Sequence, residues 1–175
     1  MTAEELINLP RGQYRYELVK GELLTMSPAG EEHGIISANV FYALSHYVRS
    51  RNLGVVYASD TGFLLETDPD TVLAPDVAFI RRGRVGKPTK RFRSGAPDLV
   101  VEVISPNDSK NKVEKKTAQW LQLGALVVWL VDPQAQTVDV RLVSGEQRLL
   151  SGQDELTAGE LIPGFRLPVS EIFRI

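Results

Sequence analysis

Apolar and polar positions alternate and recur in blocks that name most of the elements. Thr2-Ala3-Glu4-Glu5 has the form of a capping box, so a short helix opens the chain. Tyr16-Glu17-Leu18-Val19, then Lys20-Gly21, then Glu22-Leu23-Leu24 reads as two strands around a tight turn. Ile36, Val40, Leu44, Tyr47 and Val48 recur at helical spacing and predict the longest helix, over about 31–51. Residues 54–59 and 61–66 look like successive strands, and Asp76-Val77-Ala78-Phe79-Ile80 follows Pro75 as another.

Residues 81–97 are rich in Gly, Pro and Arg and are expected to be an irregular connection. Asp98 to Ile104 is then a strand stopped by Pro106. Asn107, Asp108 and Ser109 offer caps for a helix reaching about Leu123, with Gly124 ending it. Ala125 to Val131 is a continuous apolar strand, of the kind buried on both faces. Segments around 137–143 and 146–150 suggest a hairpin, and a last short element falls near Val169 to Phe173. No repeat or linker divides the chain. The order predicts one mixed α/β or α+β domain across 1–175.

At 175 residues, 43% hydrophobic and 24% charged, the composition is that of a folded protein with a proper core. The absence of cysteine excludes disulfides, thiolate zinc sites and cysteine nucleophiles. With His33 and His46 as the only histidines, one chain cannot build a three-histidine metal site. No apolar run approaches the roughly 20 residues that span a bilayer, and the start has no signal-peptide pattern, so a cytoplasmic location is expected. Net charge is −2, which by itself gives no hint of a nucleic-acid partner. Segment by segment it differs: 1–80 carries −6, 81–116 carries +7, and 117–175 carries −3. Arg81, Arg82, Arg84, Lys87, Lys90, Arg91 and Arg93 stand in one stretch without an acid, and Lys112 adds to the excess. Such a stripe could track phosphates or could be a solvated loop.

Glu102 is anomalous inside Leu99-Val100-Val101-Glu102-Val103-Ile104, because a carboxylate in so apolar a strand needs a partner. A structural salt bridge would supply one. Asp76, opening another strand, suggests a second answer: two carboxylates from neighbouring strands converging on a hard cation such as Mg²⁺ or Mn²⁺. Lys116 shares a helical face with Val113 and Trp120, and can either snorkel outward or reach back toward Glu102. His33 lies in the first turn of the long helix on its core stripe, where packing and chemistry are both open to it. No Walker loop, dinucleotide fingerprint or nucleophile elbow is present.

Taken together, these segments resemble the Uma-type restriction endonuclease family of the PD-(D/E)XK nuclease superfamily. The resemblance rests on Pro75-Asp76, on Ala96-Pro97-Asp98-Leu99-Val100-Val101-Glu102-Val103-Ile104-Ser105-Pro106, on the lysine-bearing helix ending at Gly124, and on Val128-Trp129-Leu130-Val131-Asp132-Pro133. Tyr16 to Leu23, Met26-Ser27-Pro28 and His33-Gly34 extend it to most of residues 14–166. It implies a restriction-endonuclease-like mixed sheet flanked by helices and Mg²⁺-dependent hydrolysis of DNA phosphodiesters. Asp76 and Glu102 would be the metal ligands, Lys116 the catalytic lysine displaced onto the helix, and Glu17 and His33 accessory site residues. Ile104 occupies the superfamily's usual lysine position, Lys112 stands where an Asp is frequent, and Val127 where a Glu is common. Such nucleases often act as dimers, so a homodimer is possible. The rival expectations are a nuclease-fold module that binds DNA or protein without turnover, and a purely structural domain.

Overall fold

The computed structural model describes residues 1–10, 12 and 14–175. Helix α1 (Ala3–Ile7) starts where the capping box requires: Thr2 Oγ1 accepts the Glu5 N–H at 3.2 Å and Glu5 accepts the Thr2 N–H at 2.7 Å. Strands β1 (Arg15–Val19) and β2 (Glu22–Met26) pair antiparallel around Lys20 and Gly21, whose φ angles of 49° and 80° are those of a two-residue hairpin turn. Helix α2 (Glu31–Ser50) buries Ile36, Val40, Leu44 and Val48, the stripe its periodicity marks.

Strands β3 (Gly54–Ala58), β4 (Phe63–Glu66), β5 (Thr71–Leu73) and β6 (Val77–Arg81) follow. The expected irregular connection over 81–97 is partly ordered: it holds a 3₁₀ turn at Arg82–Arg84 and the short β7 (Arg93–Ser94), which pairs with β4. Next come β8 (Leu99–Val103) and α3 (Lys110–Gln122), capped by Ser109 Oγ, which accepts the Lys112 N–H. The chain finishes with β9 (Val127–Asp132), β10 (Thr137–Leu142), β11 (Gln147–Ser151), the short pair β12 (Glu155–Leu156) and β13 (Leu167–Pro168), and α4 (Val169–Ile172).

The strands form a six-stranded sheet ordered β11-β10-β9-β8-β6-β3 and a five-stranded sheet ordered β2-β1-β5-β4-β7, with β12-β13 apart. The successive strands β3 and β4 therefore belong to different sheets. Only β8 and β9 run parallel in the larger sheet among the described residues, and α3 makes the crossover between them. One face of that sheet, carrying Leu99, Val101, Val103, Trp129 and Val131, packs on α2 and on Ile162, Phe165 and Ile172 of the C-terminal segment. The other face, carrying Val100, Val128 and Leu130, meets Trp120 of α3 and Phe63 and Leu73 of the smaller sheet. Coverage on both faces explains why Val127 to Val131 is apolar throughout. The fold is thus a mixed sheet flanked by helices, as the resemblance implies.

Close packing puts one glycine under a specific constraint. A Cβ on Gly54 of β3 would lie 2.1 Å from the Ile80 carbonyl oxygen and 2.8 Å from the Phe79 ring. Gly54→Val is expected to destabilise the fold by about 3 kcal/mol or more, since backbone cannot yield as a side chain can. A urea midpoint equal to that of the wild type would contradict this register of β3 on β6.

Candidate active site

Five parts of the chain deliver ionisable groups to one cleft. β1 contributes Arg15 and Glu17, two residues apart and so on one side of the strand. The residue just ahead of β6 contributes Asp76, β8 contributes Glu102, and α3 contributes Lys116 and, one turn on, Trp120. His33 reaches in from the first turn of α2. Arg15, Glu17, His33, Asp76, Glu102 and Lys116 all line the same cleft, of about 1000 Å³.

Lys116 is the hub. Its Nζ lies 3.0 Å from Glu17 Oε1, and 3.0 and 3.2 Å from the two Glu102 oxygens. Glu102 Oε1 also accepts the Trp120 Nε1–H at 2.7 Å, and Glu17 Oε1 accepts the Ala74 N–H at 2.9 Å. Of the two alternatives open to Lys116, the inward one holds. Asp76 forms a second knot: its Oδ2 accepts the Val103 N–H at 2.8 Å and lies 3.2 Å from His33 Nε2. Among the described residues its Oδ1 has only Arg15 Nη1, at 3.7 Å, while Arg15 also pairs with Asp60 at 2.6 Å. Ser37 Oγ lies 3.4 Å from His33 Nδ1 and steadies the ring from behind.

The electrostatics follow from crowding three carboxylates where water is scarce. Burial pushes the Glu102 carboxyl up to about 7, and the nearby charges of Asp76 and Glu17 push the same way against the opposing Lys116 ammonium. For Lys116, burial is the largest single influence and favours the neutral amine. Glu102 and Glu17 together outweigh it, and its pKa is raised. The ammonium is therefore charged at any working pH, a donor and not a base. Burial likewise opposes ionisation of Asp76, but hydrogen bonds from His33 and Val103, with the Arg15 charge, hold its pKa below the ordinary value. The hydrogen bond to Asp76 raises His33 against the effect of its own burial.

The arginine-rich stretch is elsewhere. β6 runs antiparallel to β8, so Arg81 and Arg84 meet Asp98 at the opposite end of β8 from Glu102, about 13 Å away along the strand. Asp98 is fully buried; its carboxylate accepts Arg84 Nη1 at 2.7 Å and the Arg81 N–H at 2.9 Å, with Arg81 Nε 3.3 Å away. Arg82 is bonded to Asn52, and Arg93 donates to the Arg84 and Ser94 carbonyls. Lys87, Lys90 and Arg91 are exposed, and none of this stretch lines the cleft. Lys112 does line it, largely exposed and paired with Asp108 at 3.0 Å. The antiparallel turn from β6 to β8 thus carries the 81–93 basic stretch to the end of β8 away from the cleft.

Two contributors escaped the sequence reading. Arg15 sits one strand repeat before Glu17, which was the available signal. Trp120 shares the Lys116 face of α3, and its buried indole N–H, which needs an acceptor, finds one in Glu102.

The donors suit a hard divalent ion: carboxylate oxygens from Asp76 and Glu102, with Asp76 Oδ1 free of any hydrogen bond among the described residues. No three His, Asp or Glu side chains among the described residues are grouped to hold a metal by themselves.

The comparisons with known proteins give the fold and the family. The crystal structure of a putative nuclease belonging to DUF820 from Anabaena variabilis superposes with a TM-score of 0.83 at 21% identity, covering 99% of this chain and 97% of that one. It shows the fold. No curated protein matches the chain. The family model described as "Putative restriction endonuclease" matches residues 3–170, nearly the full length, and the chain thus belongs to the Uma2 family, a family of nucleases by that description.

Proposed function

We propose that the chain is a Mg²⁺- or Mn²⁺-dependent endonuclease that hydrolyses DNA phosphodiesters in the cleft between β1, β8 and α3. The observation that carries this reading is the position of Lys116 Nζ, 3.0 Å from both Glu17 and Glu102 in a cleft that Asp76 also lines. Asp76 and Glu102 would hold the cation. When bound, it would polarise a phosphoryl oxygen and lower the pKa of a water. Lys116, held charged by two carboxylates, donates a hydrogen bond to the attacking water or to a phosphate oxygen as charge builds there. Glu17 fixes the ammonium from the side opposite Glu102, while His33 and Arg15 orient the Asp76 carboxylate. Trp120 holds Glu102 Oε1, while Oε2 accepts from Lys116 Nζ at 3.2 Å.

Lys112 at the cleft lip would take phosphate charge directly. The exposed Lys87, Lys90 and Arg91 would act only on a substrate long enough to run past the Asp98 end of β8, which makes binding dependent on both salt and length. A homodimer would present two clefts for cutting both strands. No helix among the described residues is long and apolar enough to cross a membrane.

Supercoiled plasmid incubated with the purified protein tests the proposal. Nicked and linear products are expected in Mg²⁺ or Mn²⁺ and none in EDTA. Retention of DNA on a salt gradient with no cleavage in either metal would instead establish the catalytically silent binding module.

A further inference from the structure

Beside the main cleft lies a smaller one, of about 290 Å³, on the α2 side of Asp76. The two share Arg15, His33 and Asp76, so whatever occupies the smaller cleft touches the edge of the candidate catalytic site. Apart from those three charged or ionisable groups, its walls are of two kinds. Phe41, Ala38 and Ala58 give flat apolar surface, and Ser37 and Ser59 give hydroxyls that can donate or accept. A nucleobase asks for that combination: apolar contact over its faces and hydrogen bonds along its edge.

Gly34 supplies an independent clue. It sits inside the first turns of a 20-residue helix, where glycine costs about 1 kcal/mol relative to alanine. Nothing in the packing demands it: a Cβ built there meets no atom within 4 Å, and its φ is an ordinary helical one. Gly34 lines this cleft and is exposed, so a longer side chain there would project from its edge without meeting packed atoms. Ala38, one turn on, leaves the adjoining wall equally low.

We infer that the Phe41 cleft is a nucleobase subsite, receiving the unpaired or flipped base of the nucleotide next to the scissile phosphate. The inference rests on the nuclease reading and deepens it by assigning base contact to the protein at a defined place.

The test uses the four free deoxynucleosides in EDTA, followed by ligand-observed NMR on the wild type, Gly34→Leu and Ala38→Leu. The nucleosides carry no phosphate, so the readout is independent of the metal site. At least one nucleoside is expected to bind the wild type at millimolar concentration, and each leucine is expected to weaken it at least tenfold. A urea midpoint above the wild type's for Gly34→Leu and close to the wild type's for Ala38→Leu would show that both variants fold, since leucine's helix propensity exceeds glycine's and lies just below alanine's. Absence of binding to the wild type, or binding unchanged in both variants, overturns the subsite. Nucleoside binding without plasmid cleavage in either metal would keep the base subsite and remove the nuclease activity. Cleavage without nucleoside binding would do the reverse.

Discussion

Glu102→Gln is expected to reduce metal-dependent cleavage by about a thousandfold while leaving the protein at least as stable as the wild type. The substitution keeps shape and keeps an oxygen for the Trp120 indole N–H, 2.7 Å away. It removes one of two carboxylates assigned to the cation, whose stabilisation of the transition state is worth several kcal/mol, and each 1.4 kcal/mol is tenfold in rate. Stability moves the other way because Glu102 is costly where it stands. Its pKa rises on folding from an ordinary 4.5 to about 7, chiefly through burial. The folded protein therefore holds a proton that the unfolded chain has released, and wild-type stability falls as pH rises through that window. The loss is about 3 kcal/mol at most. His33, whose pKa is raised by Asp76, also contributes stability at low pH that is lost as pH rises through its folded pKa. It is present in both proteins, so the difference between them isolates Glu102. Urea midpoints at pH 5 and pH 8 in EDTA should slope less steeply in the variant; parallel slopes would contradict the charge assignment.

Lys116→Met is expected to cost activity and stability together. Removing one partner of a buried ion pair typically costs about 3–5 kcal/mol, because the remaining charge is left uncompensated. Here two carboxylates lose their common cation, with Asp76 close enough to add its own repulsion. The destabilisation should be large at pH 8 and smaller at pH 5, where Glu102 can take up a proton. Cleavage should be lost at both, because protonating Glu102 restores the cluster's net charge and not the donor. Lys116→Arg separates the two consequences: it returns charge and most of the stability, but its planar fork does not reproduce a point donor between two carboxylates. A methionine variant with wild-type stability at pH 8 would show that the ammonium is not the keystone of this cluster.

The elements that carry the site were legible because each has a strong local signature. The α2 stripe, the two-sided apolar runs of β8 and β9, and Ser109 ahead of α3 all fall where periodicity and capping place them. Glu102 was legible as a violation: an acid in an apolar strand must have a partner, and Lys116 lay on the face that could provide it. What stayed hidden depends on chain reversal. Thr71–Leu73 is too short to show a period, and the two-residue strands around Leu156 and Leu167 exist only because each finds the other. The basic segment misled for the same reason. Its charge is local information, whereas Asp98, which binds Arg81 and Arg84 at the far end of β8, reveals its place only once β6 and β8 are paired. Arg15 likewise gains meaning from Asp76 and Asp60, distant in sequence and adjacent in space.

The central claim is that Asp76 and Glu102 together form a site for one divalent ion. Isothermal titration of Mn²⁺ into the wild type, Asp76→Asn and Glu102→Gln tests it without reference to substrate or turnover. One site per chain in the wild type, lost or weakened at least tenfold in both variants, is the predicted result. Equal binding in all three proteins, or none in the wild type, would contradict it.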